Sequence, residues 1–204
     1  MKTFESLLDD VYIITNRPEL EAETSSAIRL ATLKAHHLDF YSRDMTEKVI
    51  TFNEKKYKQS IDLYSLANNY RAAKYLRLSD GEGDCTNTDD IVGSFIEMIT
   101  PDEILDSYGR NRVNVCYVAG RMLEIKANVD FDTAIFGFYV NPIVTPSGSY
   151  ASWVANIHPG AIVNEAARVI FKMIGYDEQS AQYNTLVGEE YALLKITGLS
   201  DVGY

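Results

Sequence analysis

Apolar residues recur three, four and seven positions apart at the start of the chain, at Phe4, Leu7, Leu8, Val11 and Ile14, with Tyr12 beside them. That is the period of one face of an α-helix, and it predicts a helix that begins after Thr3 and ends near Thr15. Asn16-Arg17-Pro18 then reads as a turn, with Pro18 at the first position of a second helix. Glu19, Glu21 and Glu23 suit the positive end of that helix. It is expected to reach about Phe40, with Ala27, Ile28, Ala31, Ala35 and Leu38 on one face. Together the two segments predict an antiparallel helical hairpin.

From Met45 to Val140 the period shortens to two, in β-branched and aromatic residues broken by polar turns. The expected strands are 48–52, 57–63, 72–78, 94–100, 112–118, 122–127 and 133–140, forming a mostly antiparallel sheet. The clearest hairpin joins RVNVCYV to MLEIKAN through Ala119-Gly120, where glycine supplies a positive φ. One or two helical turns are expected over 101–108. The stretches 79–93 and 141–149 read as loops, the first acidic and glycine-containing, the second carrying Pro142, Pro146 and Gly148.

After Pro159 the helical period returns at Ile162, Ala166, Val169, Ile170 and Met173, with Gly175 as a natural stop. Asp177 can open a last helix through Tyr183, Leu186, Val187, Tyr191 and Leu194. The plan is α+β: a helical bundle built from 1–44 and 150–197, a β-rich insertion over 45–149, and a tail over 198–204. No period of 20 to 50 residues repeats along the chain.

Composition narrows the function. The 204 residues are 46% apolar and 24% charged, as in an ordinary globular protein. No window is apolar enough for a membrane span, and the N-terminal stretch shows no secretion signal, so neither fate is expected. A net charge of −10 disfavours a protein that grips nucleic acid through its phosphates. The two cysteines, Cys85 and Cys116, make no disulfide framework and no CxxC pair, and are expected as free thiols.

Catalytic chemistry is thinly supplied. His36 and His37 are adjacent on a helix, so they diverge, and solvated surface residues are the simpler reading. His158, before Pro159, suits a capping or neighbour contact. The loop DGEGDCTNTDDI puts Asp80, Glu82 and Asp84 at alternate positions, yet Cys85 and Ile91 stand where a calcium loop needs glycine and glutamate. A solvated acidic loop is the better reading. Gly81-x-Gly83 lacks the strand-to-helix setting of a phosphate cradle, and no Walker, G-x-S-x-G or H-E-x-x-H pattern occurs. Arg71, Lys74 and Arg77 in YRAAKYLR, with Tyr70 and Tyr75, form the one basic and aromatic cluster, and strand alternation splits it between two faces. Fourteen tyrosines fit both a half-buried sheet and a protein interface. No metal or cofactor is expected.

The C-terminal run HPGAIVNEAARVIFKMIGYDEQSAQYNTLVGEEYALL resembles the closing helices of the head-to-tail adaptor, or head completion, proteins of short-tailed bacteriophages. ITNRPELEAETSSAIRLATLKAHHLDFYSRD, YRAAKYLR and SYGRNRVNVCYVAGRMLEIK fit the same pattern in order. The resemblance implies a non-enzymatic virion protein at the head-tail junction, made in the host cytoplasm. It implies self-association into a ring of typically twelve copies beneath the portal protein, with a tail nozzle or tube protein below. DNA then passes through the ring without specific binding, and no membrane is involved.

Carried onto this chain, the resemblance makes the C-terminal tail a candidate portal-docking segment, through Leu199, Val202, Gly203 and Tyr204. Asp80, Glu82, Asp84, Asp89, Pro146 and Tyr150 in and beside the two loops are candidate contacts with the tail or a neighbouring subunit. A tail-terminator or tail-tube ring protein is the nearest alternative. A cytoplasmic binding module, or a small hydrolase using Asp102, Glu103 or the acidic loop, stands further off.

Overall fold

A computed structural model of the chain describes residues 2–79, 93–145 and 150–201. It is α+β, and the chain divides into two compact units, residues 1–44 with 141–204 and residues 45–140.

In the first unit, α1 (Phe4–Thr15) starts where Thr3 accepts the Ser6 N–H at 3.1 Å and Ser6 accepts the Thr3 N–H at 3.1 Å. This reciprocal cap satisfies two donors that a helix start leaves open. The helix stops at Asn16, which adopts the left-handed conformation at φ 52. α2 (Glu21–His36) begins three residues later than Pro18, which lies in the turn, and ends four residues before Phe40. The early end lets the chain fold back through a 3-10 turn, Ser42–Asp44, and bring Asp44 to His36.

α4 (Trp153–Ile157), α5 (Pro159–Met173) and α6 (Asp177–Asp201) complete this unit. Gly175, at φ 82, donates to Lys172 O and Tyr176 donates to Phe171 O, the paired bonds of a glycine-stopped helix. α6 runs four residues past the expected end at 197, so much of the stretch read as a tail is helical. Gly198 fits there because it lies against the Tyr41 ring, where a Cβ would come within 2.6 Å.

One apolar core serves these helices, with Phe4, Leu7, Val11, Ile28, Ile162 and Ile170 among its buried members. Each such side chain contributes roughly 1.5–3 kcal/mol on burial. Ala27, Ala31 and Ala35 on α2 and Ala161, Ala166 and Ala167 on α5 let those two backbones approach closely. Beside them Glu165 of α5 accepts from Lys34 of α2 at 2.7 Å and from Arg168 at 2.8 and 2.9 Å.

The second unit is a five-stranded sheet of β1 (Met45–Asp62), β2 (Tyr70–Ser79), β3 (Gly93–Met98), β4 (Val115–Ala119) and β5 (Met122–Val140), with the short helix α3 (Leu63–Leu66) after β1. The order is β1-β5-β2-β3-β4, and β4 also pairs with β5, so β5, β2, β3 and β4 close a small barrel with β1 added on β5. Every pairing is antiparallel except β3 with β4.

β1 replaces the two strands expected over 48–52 and 57–63, and the gap between them survives as register shifts between Thr51 and Lys58. β5 likewise unites 122–127 with 133–140. The β4–β5 hairpin pairs Ala119 with Met122, so the turn is Gly120-Arg121, one residue on from the expected place, with Gly120 at φ 63. Leu76, Leu123, Ile125, Phe131, Phe136 and Phe138 fill this unit's own core.

Candidate functional site

His36 is not the solvated residue its helix position suggests, and its ring is buried. Its Nδ1 lies 2.8 Å from Asp44 Oδ1 and its Nε2 2.9 Å from Ser152 Oγ. Carboxylate, imidazole and hydroxyl in that sequence is the hydrogen-bond pattern of a nucleophilic triad. Here, however, Ser152 is 6% exposed and His36 1% exposed, and Ser152 Oγ also accepts the Ala155 N–H at 3.1 Å as the cap of α4. Asp44 Oδ1 further accepts the Trp153 indole N–H at 2.7 Å, and the Trp153 ring meets His36 and Tyr41 edge-on. A buried hydroxyl already serving as a helix cap offers no space for a substrate carbonyl, so this arrangement acts as a polar clamp on α2, α4 and the turn at Asp44.

His37 is exposed and meets Asn141 Oδ1 at 2.7 Å, whereas His158 reaches Thr197 Oγ1 of α6 at 2.8 Å. Neither shares a ligand set, and no group of three His, Cys, Asp or Glu side chains suited to a metal ion occurs among the described residues.

In the β unit a cleft of about 260 Å³ lies beside the 104–111 loop, lined by Tyr57, Lys58, Tyr117, Glu124 and Lys126 over an aliphatic floor that includes Ile125. Lys58 and Lys126 are opposite partners on β1 and β5. Lys58 sits 3.9 Å from Glu124, and Lys126 makes no ion pair among the described residues. Behind the sheet, burial pushes the Cys116 thiol up to about 12, which leaves it inert rather than nucleophilic.

Asp102 and Glu103 are turn-capping groups. The Thr100 side chain holds Asp102 below its ordinary value, and the Thr100 backbone N–H, given to Glu103 Oε2 at 2.9 Å, does the same for Glu103. In the basic cluster, Arg77 is engaged within the unit. It pairs with Glu47 at 2.8 Å and lies over the Tyr75 and Phe95 rings.

Of the candidate contact residues, Asp80, Glu82, Asp84, Asp89 and Pro146 lie outside the described residues, as do Val202, Gly203 and Tyr204. Tyr150 is described and is a correction to the sequence reading. It is buried edge-on to Phe4 with its phenol 3.0 Å from Thr32 Oγ1, so it supports the helical core and is not free to meet another protein. Leu199 is exposed on the last turn of α6. It ends a row with Leu186, Leu193 and Ile196, all between 41% and 62% exposed, along the side of α6 turned away from buried Val187 and Leu194. Of that row the spacing in the sequence named only Leu186, with Leu199 placed in the tail beyond the helix, and nothing in the sequence says which apolar side of α6 faces the core.

No protein-family model and no curated protein matches this chain. Among the described residues no helix is long and apolar enough to cross a membrane.

Proposed function

We propose that the chain is a structural subunit of a tailed-phage particle, a head-to-tail adaptor whose copies form a ring between the portal of the head and the tail. In this reading the helices of the first unit act as a bundle that carries the β unit as an insertion. The ring continues the channel through which DNA passes, and it acts by contact rather than by catalysis.

The observation that carries the proposal is the exposed apolar row on α6, Leu186, Leu193, Ile196 and Leu199, which leads toward the C-terminus. Scattered exposed leucines are normal, but a row along one helix marks a surface that gains by being covered. The resemblance assigns C-terminal segments the task of docking on the portal, and the row supplies apolar area where that task needs it. The acidic character, with a net charge of −10 per copy, would disfavour adhesion of passing DNA over the short range that salt screening leaves.

Native mass spectrometry of the protein alone, and after mixing with the portal protein of the same phage, tests this. About twelve copies per portal ring are expected, the number coming from the resemblance and matched by ring symmetry. Absence of any portal complex, with a monomer or small closed oligomer persisting, would turn the assignment toward a tail protein or an unrelated binding module.

A further inference from the structure

The loop between Ile104 and Arg112 is locked by its own hydrogen bonds. Asp106 Oδ1 accepts the Tyr108 N–H at 2.9 Å and the Arg110 N–H at 2.8 Å. Asp106 N–H donates to Arg110 O at 2.8 Å, Gly109 N–H to Asp106 O at 3.0 Å, and Arg112 N–H to Ile104 O at 2.8 Å. Gly109, at φ 73, permits the turn. A loop that only connected strands would be expected to show polar residues at its tip, yet this one holds Tyr108 at 85% exposure, with Leu105 also exposed. The Arg110 guanidinium makes no ion pair among the described residues. Tyrosine and arginine on a pre-ordered loop are the residue types that dominate protein contacts, and pre-ordering removes much of the entropic cost of binding.

The helical unit carries a surface of matching chemistry. Ile13 on α1 is 80% exposed, one turn from Asp9. Burial, then the charges of Glu21 and Asp9, raise the phenol of Tyr12, the residue before Ile13. Neither Asp9 nor Glu21 makes an ion pair among the described residues. Across residues 1–44 and 141–204 fourteen Asp and Glu stand against eight Lys and Arg, and across 45–140 fifteen stand against eleven; the base of the 104–112 loop borders the cleft that holds Lys58 and Lys126 beside Glu124.

We propose that the 104–112 loop of one copy seats on the α1 patch around Ile13 of the next copy, with Tyr108 and Leu105 covering Ile13 and Arg110 meeting Asp9 and Glu21. The contact joins two different surfaces, so it is heterologous, the kind of contact that builds a ring when its rotation closes. This rests on the ring assembly proposed above and supplies its side-to-side contact.

A charge exchange tests it, with assembly followed by native mass spectrometry for the protein alone and on portal rings. Arg110→Glu, and separately Asp9→Lys with Glu21→Lys, set like charges against each other at every contact. Each variant is expected to assemble at least about tenfold more weakly than wild type. An equimolar mixture of the two restores opposite charges at every contact if they alternate, and is expected to recover assembly. Tyr108→Ser, which removes an exposed side chain and leaves the loop's backbone bonds in place, is expected to weaken assembly while leaving the melting temperature unchanged. Either reversed variant assembling like wild type, or a mixture that fails to recover, overturns this contact and leaves the ring standing. A wild-type protein that stays monomeric under both conditions overturns the contact and the ring together.

Discussion

Burial and charge pull against each other at Glu165. Burial works to raise its carboxyl, but the hydrogen bonds and charges of Arg168 and Lys34 outweigh it, and the group is held below its ordinary value of 4.5. A carboxyl lowered in the folded state contributes stability that is complete above its unfolded value and is lost as pH falls through the folded one. Glu165→Gln is therefore expected to cost roughly 2 kcal/mol at about pH 7, the scale of charge-assisted hydrogen bonds with partly exposed partners. The gap between the two proteins should narrow at acid pH, as wild-type Glu165 takes up its proton below its ordinary value. Urea midpoints at the two pH values measure it, and a gap of equal size at both would show that the residue acts through shape rather than charge. Ser152→Ala should cost about 1 kcal/mol from the lost α4 cap alone, and more because His36 Nε2 then loses a partner. Its melting temperature against wild type reads this out. None of this was visible at His36 in the sequence. Its partners Asp44 and Ser152 stand 8 and 116 positions away, and helical periodicity reports only neighbours a turn apart.

Gly120 and Gly198 are both glycines near the end of an element, but they do different work. At Gly120 the β4–β5 turn needs φ 63 and nothing crowds a Cβ, so Gly120→Ala should cost about 1 kcal/mol through backbone strain and Gly120→Asn less. Gly198 lies inside α6, where alanine would gain nearly 1 kcal/mol of helix propensity. Its Cβ, however, would meet the buried Tyr41 ring at 2.6 Å. Gly198→Ala should therefore lower the melting temperature despite the better propensity, and a rise would mean that Tyr41 can move aside. The sequence analysis placed Gly198 in a tail over 198–204, and the Tyr41 contact that fits it inside α6 comes from a residue 157 positions away. The strands were legible where they are buried, as over 133–140, whose residues from Thr133 to Tyr139 are all buried. The strands were lost at Asn53 to Lys56, where the side chains are exposed and no alternation is written into the residues. On α6, spacing named Leu186, Val187 and Leu194 without separating the exposed one from the two that the core covers, and it did not single out Leu193 or Ile196. Tyr150, read as a candidate contact beside the 141–149 loop, has its partners Phe4 and Thr32 at the far end of the chain, where no local pattern reports them.

The β unit has the ingredients of an independent fold. Its barrel closes on itself, its core among the described residues draws on those between Ile61 and Val140 together with Ile50 and Phe52, and its two ends are neighbours because Met45 pairs with Tyr139. A segment whose ends meet can be inserted into another unit, or removed from it, with a short connection. Residues 45–140 produced alone are therefore expected to unfold in one cooperative transition. Residues 1–44 joined to 141–204 by a few glycines should keep their helical circular dichroism signal. Cys116 provides the more demanding reading. In a Cys85→Ser form of the fragment it is the single thiol, and with burial pushing it up to about 12 it should resist a thiol reagent until the barrel opens. Labelling that tracks the urea unfolding curve would establish an autonomous barrel. Labelling at the rate of an unfolded peptide without denaturant would mean that the strands depend on the rest of the chain, and that the helical unit serves as a folding template for them.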